Sequence, residues 1–245
     1  MAHNIFKTLS IVIPAYNEDN YILTTIEKVV ASDTLGLTKE IIIVDDASSD
    51  QTVKISKRLQ NKYKRSFPLF KIITNKENSG KGSVLKQGFL KTTGDIVLIQ
   101  DADLEYDPID YPKLLYPFIH NQADVVYGSR LVTNAPHRVL YFWHYVVNKV
   151  LTTLSNVLTN LNLTDMETGY KVFRGSLIRE IAPNLESKRF GFEPEITARI
   201  AKVKGIKVFE VGISYSGRTY EEGKKITWKD GILAVWEILK YNLYL

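Results

Sequence analysis

The strongest constraint on the fold is an alternation, through the first 130 residues, of continuous apolar runs with helix-patterned stretches. "LSIVIPAY" (9–16), "EIIIVDD" (40–46), "LFKIITN" (69–75), "GDIVLIQDAD" (94–103) and "ADVVYGSR" (123–130) read as strands. Between them, helical patterns start near Asn20 and run through "SSDQTVKISKRLQNKY", "GKGSVLKQGFLKTT" and "PIDYPKLLYPFIHN". Strands apolar on both faces must be covered on both faces, and strands that alternate with helices run mostly parallel. The expected class is therefore α/β, a mainly parallel sheet flanked by helices. Ligands in such sheets bind beyond the carboxyl ends of the strands. Those ends carry Pro14-Ala15-Tyr16-Asn17-Glu18, Asp45-Asp46, Asp101-Ala102-Asp103 and Gly128-Ser129-Arg130, so these polar groups are expected to converge.

The second half changes character. Leu140, Trp143, Val147, Leu151, Leu154, Leu158 and Leu161 recur three or four apart, the mark of an amphipathic helix over 139–163. That helix carries His144, Asn148, Lys149 and Asn156, too polar for a membrane span. A helix from about Phe192 to Val203, a strand "IKVFEVGISY" (206–215) and a helix from about Trp228 follow. With no linker or repeat, residues 1–245 are expected to form one domain, with a nucleotide half (1–130) and an acceptor half (131–245). The aromatic C-terminus and the 139–163 helix suit either a core or a surface lying against lipid headgroups.

Composition narrows the partners. The 32 basic and 27 acidic residues leave +5, with no block resembling a nucleic-acid arm. Such an excess fits a phosphate-bearing ligand or an anionic membrane surface. The absence of cysteine excludes disulfides and thiolate zinc sites and is compatible with the cytosol. "MAHNIFKTLSIVIPAYNE" does not read as a signal peptide, so the expectation is a cytoplasmic protein, soluble or peripheral on the cytoplasmic face of a membrane.

The chemistry-bearing stretch is "IVLIQDADLEYDP" (96–108). If the chain stays extended, Asp101, Asp103 and Glu105 share one face, where they repel each other. A divalent cation turns that repulsion into ligation; Mg²⁺ typically takes one or two carboxylates and leaves its other positions to water and substrate phosphates. A nucleotide diphosphate would complete such a site. The competing reading is a solvated strand end, with Asp107 capping the helix after Pro108. Asp46 suits a base or ribose, or else the N–H groups of its own loop, with Ser48, Ser49 or Asp50 capping the next helix. "NSGKGSVLKQG" fails the phosphate-loop pattern, leaving Lys81 near an anion at a helix N-terminus, or a plain turn. Arg130, Arg138, Lys171, Arg174, Arg218, Lys224 and Lys225 are basic residues of the later loops, where arginine suits bidentate phosphate binding. "SGRTYEEGKK" reads as a loop able to close over a substrate.

Together, "VIPAYNE", "IIIVDDASSDQT", "NSGKGSVLKQGF", "GDIVLIQDADLEYDP", "VVYGSR", "DMETGYKVFRG" and "FGFEPEITARIAK" resemble the family 2 glycosyltransferases of GT-A (Rossmann-like) fold, in the branch that makes dolichyl- or polyprenyl-phosphate sugars. The resemblance implies that Pro14, Tyr16, Glu18 and Asp46 line the nucleotide. Asp101 and Asp103, with Glu105, would hold Mg²⁺ or Mn²⁺ on the donor diphosphate. Arg130 and Arg138 would grip the acceptor phosphate, Asp165 with "TGYKVFRG" would shape the sugar pocket, and Arg218 and Lys225 would close on the donor. The implied reaction is inverting hexose transfer from GDP-mannose or UDP-glucose to a polyprenyl or dolichyl monophosphate. A hydroxyl acceptor would instead need a base, for which Asp165 or Glu193 are candidates. A nucleotidyltransferase and a non-catalytic sugar-nucleotide-binding module are the remaining rivals.

Overall fold

The structure, a computed structural model, describes residues 6–132, 138–139, 141–189, 191–217 and 228–244. Its strands are β1 Thr8–Ala15, β2 Thr38–Asp45, β3 Phe70–Thr74, β4 Ile96–Ile99, β5 Val125–Ser129, β6 Lys171–Arg174 and β7 Val208–Gly212. The helices are α1 Ile22–Ala31, α2 Thr52–Tyr63, α3 Lys81–Phe89, α4 Tyr111–Asn121, α5 Phe142–Thr159, α6 Gly175–Ile181, α7 Phe192–Ala201 and α8 Trp228–Leu243. One seven-stranded sheet results, in the order β3-β2-β1-β4-β6-β5-β7. β1 pairs in parallel with β2 and β4, β2 with β3, and β5 with β7, while β6 is antiparallel to both β4 and β5.

Side chains alternating along each strand feed two cores, one per face of the sheet. Ile11, Ile13, Ile96 and Leu98 pack with Ile22 and Ile26 of α1, Leu59 of α2 and Leu114 and Phe118 of α4. Val12, Val97 and Ile99 face the other way, onto Leu85 and Phe89 of α3, Ile178 of α6, Phe192 and Ile196 of α7 and Ile238 of α8. This two-sided burial is why β1, β2 and β4 read as unbroken apolar runs.

Two sequence expectations are corrected here, and for α5 the choice left open between core and surface falls on both. "GYKVFRG" contains a strand, β6, that inserts between β4 and β5, so Lys171 and Arg174 lie in the sheet and not in a loop. The strand expected over 94–103 stops at Ile99. On α5 the apolar seam is only partly a core seam. Leu151 is buried, but Trp143 is 72% exposed and Val147 also faces solvent, because α5 packs chiefly on α7 and α8. Leu140 lies outside the described residues. Among the described residues, no helix is long and apolar enough to cross a membrane.

Candidate active site

The carboxyl ends of β1, β2 and β4 carry three non-glycine residues with left-handed backbone: Asn17 (φ 52°), Ala47 (φ 62°) and Leu104 (φ 61°). Such conformations cost about 1 kcal/mol each and tend to gather where loops serve a site. The first two loops are stitched together. The Asn17 N–H donates to Ser48 Oγ (2.9 Å), the Ser49 N–H to Asn17 Oδ1 (2.9 Å) and the Glu18 N–H to Thr52 Oγ1 (2.9 Å). Pro14, Tyr16, Glu18 and Asp46 thus come together at one edge, with the Asp46 N–H on the Ala15 carbonyl (2.9 Å) and Tyr16 40% exposed.

The Asp46 carboxylate serves the glycine loop. It accepts from Asn75 Nδ2 (3.0 Å), from the N–H (2.9 Å) and Oγ (2.8 Å) of Ser79, and from the Gly80 N–H (2.7 Å). Burial alone would raise its pKa, but these donors outweigh burial and hold it below the usual carboxylate range. Asp50, as expected of one of three candidates, accepts the Thr52 N–H at the start of α2 (2.9 Å). The N-terminus of α3 is not open to an anion. A Cβ on Gly80 (φ 86°) would overlap the Lys188 carbonyl and one on Gly82 the Ser187 carbonyl, so the 187–188 backbone lies directly on it. Lys81 itself turns to the acids: its Nζ lies 3.0 Å from Asp101 Oδ1 and 3.5 Å from Glu193 Oε1.

The acidic turn differs from its sequence reading. Past Ile99 the chain leaves extended geometry, so Asp101, Asp103 and Glu105 do not line one face. Asp101 pairs with Lys81, Asp103 Oδ1 accepts the Glu105 N–H (3.2 Å), and Glu105 Oε2 accepts the Tyr215 hydroxyl (2.8 Å). Among the described residues no three His, Asp or Glu side chains are placed to hold a metal ion. The three acids expected to share one face thus hold three different partners instead. Asp101 and Asp103 suit Mg²⁺ or Mn²⁺ that takes one or two carboxylates and completes its shell with phosphate oxygens and water.

What shapes the turn is a residue the sequence reading passed over. Gln100 is fully buried. Its Oε1 accepts the hydroxyls of Tyr111 (2.9 Å) and Tyr170 (2.7 Å), and its Nε2 donates to the carbonyls of Asp101 (3.0 Å) and Tyr106 (3.1 Å). A polar residue closing an apolar strand was the available signal. Gln100→Leu leaves two hydroxyls and two carbonyls to find other partners, so a stability loss of about 2–4 kcal/mol is expected, read from the urea midpoint.

Across the site, Arg130 follows β5. Its Nε and Nη2 each lie 2.7 Å from Asp165, and its own N–H donates to Asp165 Oδ2 (3.0 Å). Asn148 of α5 donates to Asp165 Oδ1 (3.0 Å). Burial alone would raise the pKa of Asp165, but the Arg130 charge and these donors hold it below the usual carboxylate range. Asp165 thus fixes Arg130 and makes a poor general base. A guanidinium has five N–H donors, so this pair does not exhaust its capacity for an anion. Arg130 also sits over the Tyr215 ring (5.2 Å), and Arg138 Nη1 donates to the Gly217 carbonyl (2.9 Å), so both expected acceptor-phosphate residues border 215–217. Arg218, Lys224 and Lys225 lie outside the described residues.

Segment 163–169 is clamped from α5. The Met166 N–H donates to Thr152 Oγ1 (3.1 Å), and Asn156 exchanges hydrogen bonds with the Leu163 backbone (2.7 and 3.1 Å). Asn148, Thr152 and Asn156, four apart, form a polar stripe whose spacing was visible in the sequence. Gly169 closes the segment: its N–H donates to Tyr106 Oη (2.8 Å), and a Cβ there would overlap Asp101 Oδ2.

This geometry can be set beside known proteins. The sequence profile described as "Glycosyl transferase family 2" matches residues 10–182. A dolichol-phosphate mannosyltransferase from Pyrococcus furiosus is 29% identical over 218 residues, covering 88% of this chain and 58% of that protein. A dolichyl-phosphate beta-glucosyltransferase from Saccharomyces cerevisiae is 28% identical over 225 residues, covering 84% of this chain and 66% of that protein. The chain thus spans about three-fifths to two-thirds of the length of these relatives. Glucosyl-3-phosphoglycerate synthase from Mycobacterium tuberculosis, in complex with Mn²⁺, UDP and phosphoglyceric acid, superimposes with a TM-score of 0.70 at 18% identity, over 97% of this chain and 79% of that one. A complex of the same enzyme with Mg²⁺ and UDP gives 0.69 at 18% identity, over 96% and 79%. At that identity the likeness establishes the GT-A fold. Because the family profile runs from within β1 to beyond β6, over well more than half of the residues, the chain belongs to glycosyl transferase family 2.

Proposed function

We propose that this glycosyltransferase moves a hexose from a nucleotide diphosphate sugar, GDP-mannose or UDP-glucose, to a polyprenyl or dolichyl monophosphate with inversion at the anomeric carbon. The observation that carries this reading is Arg130, a half-buried guanidinium aimed by Asp165 (2.7 Å) that, like Asp101, acts electrostatically on Tyr106. A cation beside Tyr106 on one side and an acidic turn on the other suit a reaction whose donor and acceptor both bear phosphate.

In this reading an oxygen of the acceptor phosphate attacks the anomeric carbon, and the bond from that carbon to the diphosphate breaks, its electrons leaving with the nucleoside diphosphate. A phosphate monoester is largely ionised at neutral pH, its second pKa being about 6, so no side chain need take a proton. Arg130 and Arg138 orient the acceptor, Lys81 adds positive charge beside Asp101, and Pro14, Tyr16, Glu18 and Asp46 border the nucleotide. Asp101 and Asp103 would hold Mg²⁺ or Mn²⁺, which when bound stabilises charge on the leaving diphosphate. Incubation with each donor, Mn²⁺ and a polyprenyl phosphate should yield nucleoside diphosphate and a sugar-lipid; formation of neither overturns the proposal.

The exposed aromatics of α5 and α8 support a lipid-borne acceptor. Phe142, Trp143, Val150, Leu233 and Trp236 all face solvent, at 57–72% exposure, and the two helices pack together. Aromatic side chains on a surface helix suit the headgroup layer of the cytoplasmic membrane face. The protein should float with anionic liposomes, and the double variant Trp143→Ser, Trp236→Ser should lose most of that binding at unchanged melting temperature. Equal flotation of both proteins would remove this support.

A further inference from the structure

Near Arg130 and Asp165 lie charged groups, Glu167, Lys171 and Glu193, that the reaction as drawn leaves without a role. Glu167 sits among Glu193, Lys171, Arg130 and Asp165. Its neighbours have partners within the chain: Arg130 has Asp165, Glu193 faces Lys81, and Lys171 donates to the carbonyls of Met166 (3.0 Å) and Thr168. Glu167 is the exception. Its Oε1 is buried with no hydrogen-bond partner, while the residue as a whole keeps partial access to solvent. A buried carboxyl oxygen left unpaired is costly unless a ligand supplies the partner.

The surroundings select that ligand. A phosphate would meet Glu193 and Asp165 as well as Glu167 itself. A metal ion would meet Arg130 and Lys171. A neutral hydroxyl meets neither objection, and a carboxyl can both donate to it and accept from it when protonated. Burial, reinforced by the charge of Glu193, pushes the Glu167 pKa upward and so favours that neutral form.

We infer that Glu167 reads the donor's hexose, pairing its Oε1 with one sugar hydroxyl and so helping to set which sugar is accepted. This rests on the glycosyl-transfer reading above and deepens it. A site built to pair a hydroxyl discriminates strongly against a substrate that lacks it.

The test is calorimetric titration of the full chain, with Mn²⁺, using a nucleoside diphosphate, the matching nucleotide sugars and their monodeoxy analogues. Glu167→Met should weaken nucleotide-sugar binding about tenfold and leave nucleoside diphosphate binding within about twofold, a difference that a merely structural defect would not produce. Glu167→Gln, which keeps a donor and an acceptor, should stay within about threefold for both. In the unmutated protein one deoxy position should cost about tenfold or more, and Glu167→Met should erase that penalty. Equal losses for both ligands, an unchanged nucleotide-sugar affinity in Glu167→Met, or no deoxy penalty in the unmutated protein would overturn the role of Glu167 alone. No nucleotide-sugar binding by the unmutated protein would overturn both readings. Should Glu167→Met fail to fold, Glu167→Gln and the deoxy series decide.

Discussion

Asp165→Ala is expected to cost about 3–5 kcal/mol of stability, because it strands the Arg130 guanidinium without its carboxylate. Typical single substitutions cost about 1 kcal/mol. Asp165 is fully buried and accepts from Arg130 three times and from Asn148 once, so four donors lose their acceptor together. Chemical denaturation measures the loss. Arg130→Met added to Asp165→Ala should restore part of it, since the stranded charge is then gone. A loss below about 1 kcal/mol, or no restoration, would show that the pair does not organise this region. The pH dependence has a definite sign. Asp165 has a lower pKa folded than unfolded, so its contribution is complete above the unfolded value of about 4 and fades as pH falls through the depressed folded one. Asp165→Asn should therefore show a shallower acid limb than the unmutated protein.

Gly169→Ala is the second large effect, and it should fall on turnover. The added methyl would occupy the place of Asp101 Oδ2 and press on Tyr106, whose Cε2 would lie 2.8 Å away. Asp101 cannot yield freely, since Lys81 holds its carboxylate and Gln100 holds its carbonyl. A displacement approaching 1 Å at a reacting centre costs about a hundredfold in rate, and overpacking adds about 1–3 kcal/mol of instability. Gly231→Ala is the control: it lies within α8, and its Cβ would meet nothing nearer than Val147 Cγ1 at 3.7 Å. Steady-state turnover on a nucleotide sugar should fall for the first variant and hold for the second. Full activity in Gly169→Ala would show that this glycine does not set the position of Asp101.

Strands β1 to β5 and helices α1 to α4 were legible because the strands centre on runs of apolar residues and the helices repeat theirs at helical spacing. Tyr16, Asp46, Asp101 and Arg130 follow strands that run the same way in the sheet, as the strand pattern implied, although the antiparallel β6 stands between β4 and β5. Strand β6 was not legible: Val172 and Phe173 are its only apolar residues, and Lys171, buried against the Tyr127 ring, reads in sequence as a solvent residue. The acidic turn was misread because a left-handed Leu104 leaves no trace in residue type. For Trp143 core and surface both stayed open, because spacing identifies a stripe without saying what covers it. Gln100 escaped because a single polar residue after an apolar run looks like the end of a strand, and its partners Tyr111 and Tyr170 are distant in sequence.

Helix α5 wears two unlike edges. Asn148 on one edge reaches Asp165, and through it Arg130, while Trp143 and Val150 lie bare on another. Any body resting on the bare edge is thus two polar links from the guanidinium, with only one rigid rod between them. Under the proposed function, anchorage and chemistry would share this one helix, since a change in how α5 is seated reaches Arg130 through Asn148 and Asp165.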